Sequence, residues 1–277
     1  MLLATAGASG ALNDPFPMGC AMTSFGTIIW DNGMSGRQPW IPAAFLKDSA
    51  GFGLAAAGVD YYDDMDNLEE HDIRQAVGGT WVSVRQFMLK AAYTHFNALD
   101  IYREQKGFLS IGTTIIPFIS VSAELSGCRV GLVDDSRERE HIALAGATAW
   151  VPWSFASLSL SCKNVILRNA RRPGFAPPLA LAAGVHTAPH RFGAQGVRIE
   201  IEPGTHTRIR FHAGEEYWIH GILGLGIGLA TNPLMVGFGV TVSFARYGLH
   251  ASLVHHPVLG WSKGMGAEFV GRSRSPN

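Results

Sequence analysis

Two stretches of this chain, His141 to Cys162 and Tyr217 to Ala245, contain no Asp, Glu, Lys or Arg, yet neither reads as a helix. A membrane-crossing helix needs about 20 apolar residues, and both stretches are long enough. The objection is their period. Leu223, Leu225, Ile227 and Leu229 alternate with Gly224, Gly226 and Gly228, while Val236, Phe238, Val240, Val242 and Phe244 alternate with Gly237, Gly239, Thr241 and Ser243. Each glycine would cost a helix about 1 kcal/mol relative to alanine, and Pro152 and Asn232-Pro233 interrupt the two stretches. A period of two marks a strand whose side chains point alternately to opposite faces.

The alternation recurs along the chain. Ile119, Val121, Ala123 and Leu125 are set against Ser120, Ser122, Glu124 and Ser126; Leu179 and Leu181 against Ala180 and Ala182; Leu259, Trp261, Met265, Ala267 and Phe269 against Gly260, Ser262, Gly264, Gly266 and Glu268. No segment reads as a long amphipathic helix. From Val197 to Ala213 the pattern is sharpest: Val197, Ile199, Ile201, Ile209, Phe211 and Ala213 form one face, and Arg198, Glu200, Glu202, Arg208, Arg210 and His212 the other, with Pro203-Gly204 at the turn. Any antiparallel register that keeps the apolar faces together sets carboxylates near arginines on the charged face. A soluble sandwich shows such alternation too, but not normally beside strands whose second face carries only Gly, Ala and Ser.

Composition narrows the alternatives. Charged residues make up 16% of the chain and hydrophobic ones 47%, with 33 glycines among 277 residues and a formal net charge of zero. Disorder needs low hydrophobicity and high net charge, and a nucleic-acid partner needs a basic excess to neutralise phosphates. Neither condition is met. Cys20, Cys128 and Cys162 are odd in number and widely spaced, so neither a disulfide framework nor a zinc site is indicated.

A tilted transmembrane strand takes about 9 to 11 residues. Short connections are expected at Ile116-Pro117-Phe118, Pro152-Trp153, Pro203-Gly204 and Asn232-Pro233. The expected fold is an all-β, closed antiparallel transmembrane β-barrel of about 12 to 14 strands. It occupies residues 21–271, after a residual signal-like or N-terminal segment at 1–20 and before a tail at 272–277. In that N-terminal segment Ser9 and Ala11 are spaced like the small residues of a secretory cleavage site. Tyr61, Tyr62, Trp81, Trp150, Trp153, Tyr217, Trp218, Tyr247 and Trp261 lie near candidate strand ends, where a barrel would use them as interfacial girdles and a soluble fold as core or rim.

Gly264-Met265-Gly266-Ala267-Glu268-Phe269-Val270 resembles the C-terminal strand that outer-membrane barrels use as an assembly signal. Gly228 to Pro233, Phe238-Gly239-Val240, Leu249 to Ser252 and His255 to Ser262 resemble, in order, the closing strands of a family of outer-membrane barrels from the Bacteroidetes and related groups. Asp31 to Gly36 and Tyr102 to Gly107 resemble turns of the same family. Those proteins are similar to the porin V and porin Q components of type IX secretion and, more distantly, to long-chain fatty-acid transport barrels. The resemblance implies a cell-outer-membrane location in a Gram-negative bacterium. It further implies a non-catalytic role, either as a conduit for small hydrophobic molecules or as a secretion-associated membrane component. The implied partners are outer-membrane lipid and either a hydrophobic small molecule or a secretion or assembly protein.

Candidate chemistry is sparse. His255 and His256 are adjacent and point to opposite faces of a strand, and Pro189 prevents a helical His186/His190 pair, so no metal and no cofactor are expected. His250-Ala251-Ser252 resembles the pair used by outer-membrane lipid hydrolases, with His250 as base, Ser252 as nucleophile and Glu268 as the nearby carboxylate. Because Leu249, Ala251 and Leu253 form the apolar side, His250 and Ser252 are expected to face the lumen, so polar lumen filling is the favoured reading. A soluble all-β binding protein is the third reading. The acidic run Asp60, Asp63, Asp64, Asp66, Glu69, Glu70 and Asp72 lacks an EF-hand spacing and reads as a solvated loop. Arg168, Arg171 and Arg172 read equally as a solvated turn or as contacts for lipid phosphates. Function is sought on the charged hairpin face, where Arg198, Glu200, Glu202, Arg208, Arg210 and His212 are the candidate lumen-lining residues. Opposed Arg and Glu rows either plug a lumen through mutual pairing or set the selectivity of an open one.

Overall fold

The computed structural model describes residues 51–61, 73–84, 86–98, 102–116, 119–132, 140–153, 155–168, 177–187, 193–204, 207–220, 222–257 and 260–272. These form fourteen strands: β1 (Gly51–Tyr61), β2 (Ile73–Val84), β3 (Phe87–Ala98), β4 (Tyr102–Ile116), β5 (Ile119–Leu132), β6 (Glu140–Pro152), β7 (Ala156–Arg168), β8 (Ala180–Thr187), β9 (Ala194–Glu202), β10 (Arg208–Ile219), β11 (Leu223–Ala230), β12 (Met235–Phe244), β13 (Tyr247–His256) and β14 (Gly260–Arg272). Each is antiparallel to its sequence neighbours, and β1 pairs with β14 from Gly51↔Arg272 to Asp60↔Lys263, which closes the barrel. The expected closed antiparallel barrel is observed, at fourteen strands. The N-terminal segment, the Asp31 to Gly36 turn, Cys20, Tyr62, the acidic run beyond Asp60, Arg171, Arg172, His190 and the tail beyond Arg272 lie outside the described residues.

Residue chemistry accounts for the strand ends. β4 stops before Pro117, β6 ends on Pro152, and Pro203 and Gly204 stand between β9 and β10, because proline cannot donate to a ladder. Asn232-Pro233 is a cis peptide between β11 and β12, with Asn232 Nδ2 donating to the Ile209 carbonyl at 2.5 Å. Two register shifts in the β6–β7 ladder accompany Asn164, whose φ of 61° is tolerated by asparagine and whose Nδ2 donates to the Pro178 carbonyl at 3.0 Å.

Alternation sorts the side chains into two environments. Outward-facing and exposed are Phe52, Leu54, Leu89, Tyr93, Leu109, Ile111, Leu125, Val185, Val197, Ile199, Ile227, Phe238, Val240 and Leu249. The buried core lies in the interior, and it is mixed: Trp81, Met88, Phe96, Val130, Ile142, Leu144 and Trp150 share it with Lys90, Glu104, Ser110, Glu200 and Glu216. A water-soluble fold does the opposite, hiding apolar groups and exposing charges. An apolar exterior around a polar-containing interior, with no open sheet edge, is the arrangement a bilayer demands.

One group of residues departs from the girdle reading. Trp81 and Trp150 are 3% exposed and point inward, as do Tyr61 and the half-buried Trp218. Their strand parity, shared with Ser83, Thr148, Val59 and Glu216, places them in the lumen, although they lie near strand ends. Tyr217, Tyr247 and Trp153 remain on the exposed outer face.

Val240→Arg places a guanidinium on the outer face of β12. Lipid exposure predicts a loss of about 2–4 kcal/mol near the bilayer midplane, read as a lowered urea midpoint for the barrel folded in vesicles. A loss within about 0.5 kcal/mol, normal for a water-exposed site, would contradict the lipid-facing assignment.

Candidate functional site: the barrel lumen

The interior has two unlike walls. Strands β1–β6, joined by Val270 of β14, supply one built of apolar clusters set among polar groups. Ala55, Val77 and Ala92 form a buried cluster with Trp150, with Ala57 and Phe108 packed against it. Trp150 sits on β6 and Ala55 on β1, so the indole spans part of the interior instead of resting on its own strand neighbours. Cys128, Val130, Ile142 and Leu144 form a second cluster, with Tyr102 against it, and Trp81, Met88 and Val270 a third. Trp81 lies so close over Gly53 that any side chain there would collide with the indole.

Polar groups are interleaved with these clusters: Gln75, Thr94, Lys106, Ser122, Ser126 and Glu140 are buried on the same strands. The Tyr102 hydroxyl donates to Glu104, and Lys90 and Glu124 stand either side of Ser110 in one transverse row. Both Lys90 and Ser110 are fully buried.

Strands β8–β14 supply a charged, histidine-containing wall lined with glycine. The register of β9 and β10 sets Glu202 opposite Arg208, Glu200 opposite Arg210 and Arg198 opposite His212. Arg198 Nη2 donates to Glu200 Oε2 at 2.6 Å, and Arg210 Nη1 lies 3.4 Å from Glu200 Oε1 and 3.1 Å from Glu202 Oε1. Arg210 Nε also donates to the Asn232 carbonyl at 3.2 Å. Glu200 and Glu202 are buried, Arg198, Arg210 and His212 are half-buried, and Arg208 is exposed at the strand's first position. The structure therefore joins Arg198, Glu200, Glu202 and Arg210 in one network. Arg208 and His212 flank it through strand pairing. Inward Gly196, Gly214, Gly228 and Gly237 occupy a single transverse row across β9–β12, flanked by His186 on β8 and Val254 on β13.

His250 and Ser252 both point inward, but they are not joined. His250 Nδ1 lies 3.1 Å from Thr241 Oγ1, its Nε2 lies 3.8 Å from Glu268 Oε1, and Ser252 Oγ donates to the Gly264 carbonyl at 3.3 Å. A nucleophile needs its base within about 2.6–3.2 Å, and here the base's hydroxyl partner is Thr241. A separate pair, Ser159 Oγ and His186 Nε2 at 3.2 Å, is buried on β7 and β8. A Cβ on Gly184 would come within 2.8 Å of that Ser159 oxygen. Among the described residues no group of three or more His, Cys, Asp or Glu is arranged to hold a metal.

Sequence reasoning found the charged hairpin face and missed the apolar wall. In β3, Met88, Ala92 and Phe96 face inward while Phe87, Leu89 and Tyr93 face outward. With large apolar groups on both faces, alternation loses its contrast. Lys90 and Thr94, on the inward parity, are the surviving signal.

Neutralising one side of the ion-pair network tests its role. Glu200→Gln leaves two arginines around an uncharged amide and is expected to cost about 3–5 kcal/mol, as for a broken buried pair. Adding Arg198→Gln and Arg210→Gln should recover part of the loss in urea titrations of the vesicle-embedded barrel. Equal loss in single and triple variants would show that charge pairing is not what Glu200 supplies.

No protein-family model matches the chain, and no curated protein sequence does. Solved structures do. The toluene transporter TodX of P. putida superposes with a TM-score of 0.63 over 95% of this chain and 100% of its own, at 8% identity. The monoaromatic hydrocarbon channel CymD superposes with a TM-score of 0.67 over 94% of this chain and 98% of its own, at 10% identity. At such identities the likeness is one of fold: a closed barrel of the kind found in outer-membrane channels.

Proposed function

We propose that this chain is a non-catalytic outer-membrane barrel of a Gram-negative bacterium that conducts small apolar molecules. The observation that carries the reading is the inward wall of Trp81, Phe96, Phe108, Trp150 and their aliphatic neighbours. Barrels that pass polar solutes have polar, water-filled interiors, whereas this interior sets clusters of aromatic and aliphatic side chains on β1–β6 among its buried polar groups. On the facing wall Arg198 and Arg210 are paired with Glu200 and Glu202, and Glu216 and Glu268 are further buried carboxylates. That four-residue network is internally balanced and adds little net field to select ions. Trp150, reaching from β6 to β1–β3, is the proposed constriction. The fold-level likeness to a toluene transporter and a monoaromatic hydrocarbon channel agrees with a substrate of that chemistry.

The finer relationship to secretion-associated porin V-like barrels rests on short glycine-containing segments such as Gly228 to Pro233 and remains the second reading. It predicts a stable protein partner instead of flux.

Uptake of the apolar probe N-phenylnaphthylamine by intact Gram-negative cells separates the two. Cells carrying the folded barrel are expected to take up the probe several-fold faster than cells with an empty vector. Trp150→Ala should raise that rate, and Phe108→Glu should lower it about tenfold, because a carboxylate on the apolar wall opposes entry of an apolar solute. Uptake at the empty-vector rate, with folded barrel in the outer membrane, would sink the conduit reading and leave the secretion-associated one.

A further inference from the structure

The outer face is not uniform around the barrel. On β8–β12 the outward positions nearest the β9–β10 and β11–β12 turns are Leu181, Ile201, Ile209, Leu229 and Val236, all apolar. At the corresponding end of β1–β4 and β6 the outward positions are Asp60, Arg74, Asn97, Arg103 and His141. Strand pairing links them into rows. Lys263, Asp60, Arg74, Asn97 and Arg103 are consecutive partners from β14 to β4, and directly below them His95, Gln105, Arg129 and His141 are consecutive partners from β3 to β6. The first row crosses four inter-strand steps, about 19 Å at ~4.8 Å each.

This end is the one away from both chain ends of the barrel, and it carries the long 62–72 and 169–179 connections. In outer-membrane barrels the longer loops lie on the extracellular side. Among the described residues the band is basic: Lys263, Arg74, Arg103 and Arg129 stand against one outward carboxylate, Asp60, which Arg74 engages at 3.0 Å. Arg103 and Arg129 are diagonal neighbours on β4 and β5, about 7–8 Å apart, a separation at which two guanidinium groups can share one phosphate. Below the band the same strands present Leu89, Tyr93, Leu109, Ile111 and Leu125 outward. Charge above and hydrocarbon below, on one half of the circumference, match an amphiphile with anionic head and several acyl chains.

We propose that the outward band of β14 and β1–β6 binds the phosphate groups of a phosphorylated glycolipid in the outer leaflet, with Arg103 and Arg129 as its principal contacts. Arg forms bidentate, charge-assisted hydrogen bonds with phosphate, and the acyl chains lie along the apolar rows beneath. The proposal rests on the outer-membrane reading but is independent of what the lumen conducts.

Native mass spectrometry of the detergent-purified barrel tests it, with folding verified by heat-dependent gel mobility. The wild-type barrel is expected to retain bisphosphorylated lipid A at least about tenfold more tightly than Arg103→Gln/Arg129→Gln, and dephosphorylated lipid A no better than that variant does. Millimolar inorganic phosphate should leave lipid A bound, and Glu215→Gln, outward on β10 across the barrel, should leave retention unchanged. Should the double variant not fold, Lys263→Gln alone is expected to weaken retention about two- to threefold. Equal retention by wild type and variant would overturn the proposal. So would phosphatidylglycerol binding as well as lipid A, which would reduce the band to a general anionic-lipid surface, or displacement by inorganic phosphate, which would make it a free-anion site. A barrel without heat-dependent mobility or outer-membrane residence would instead defeat the membrane reading itself, a result distinct from loss of glycolipid binding.

Discussion

Closure by the β1–β14 ladder is the constraint on which the other features depend. In hydrocarbon each unpaired backbone group costs several kcal/mol, and a fourteen-stranded open sheet would present two edges of them. Pairing Gly51–Tyr61 with Gly260–Arg272 removes both edges at once. Once the sheet closes, every side chain faces either lipid or lumen, and strand parity becomes an assignment of solvent. Small residues on the closing strands suit this: Gly264, Gly266 and Ala267 meet Val59, Ala57 and Ala56.

From that division follow the two unlike walls. β1–β6 contribute large side chains inward, among them Trp150, which shares one buried cluster with Ala55, Val77 and Ala92 of β1–β3. β9–β12 contribute glycine at the row of Gly196, Gly214, Gly228 and Gly237, and charge at the levels nearer the β9–β10 turn. Buried charge survives there because Glu200 is shared by two arginines and Glu202 is held by Arg210. The exterior has its own asymmetry, basic on the half whose interior is apolar.

Legibility from sequence followed contrast. In β9 and β10, Val, Ile and Phe alternate with Arg, Glu and His, and that hairpin's faces and register logic were readable outright. In β11 and β12 alternation of Leu, Ile, Val or Phe with Gly sufficed to identify strands and their lipid-facing parity. In β3 and β4 it failed, since Phe87, Leu89 and Leu109 face lipid while Met88, Phe96 and Phe108 face inward. The tryptophans misled for a related reason. Trp81 and Trp150 lie near strand ends, where interfacial aromatics gather, yet their parity turns them inward. His250, two residues before Ser252 in sequence, suggested a dyad, whereas Thr241 on the neighbouring strand is the hydroxyl that His250 meets.

Taken alone, the chain's residues determined that it forms strands, where proline and glycine end them, which face of β9–β13 meets lipid, and that arginines and carboxylates share the opposite face of one hairpin. These are properties of neighbours in sequence, set by the two-residue repeat of an extended backbone. Only the tertiary structure decided the number of strands, the inward placement of Trp81 and Trp150, the convergence of β6 on β1–β3, and the rows that carry Lys263, Arg74, Arg103 and Arg129 around one half of the exterior. Those depend on register and closure. A transverse row gathers one residue from each of several strands, and its members are brought together only when every intervening ladder has chosen its alignment.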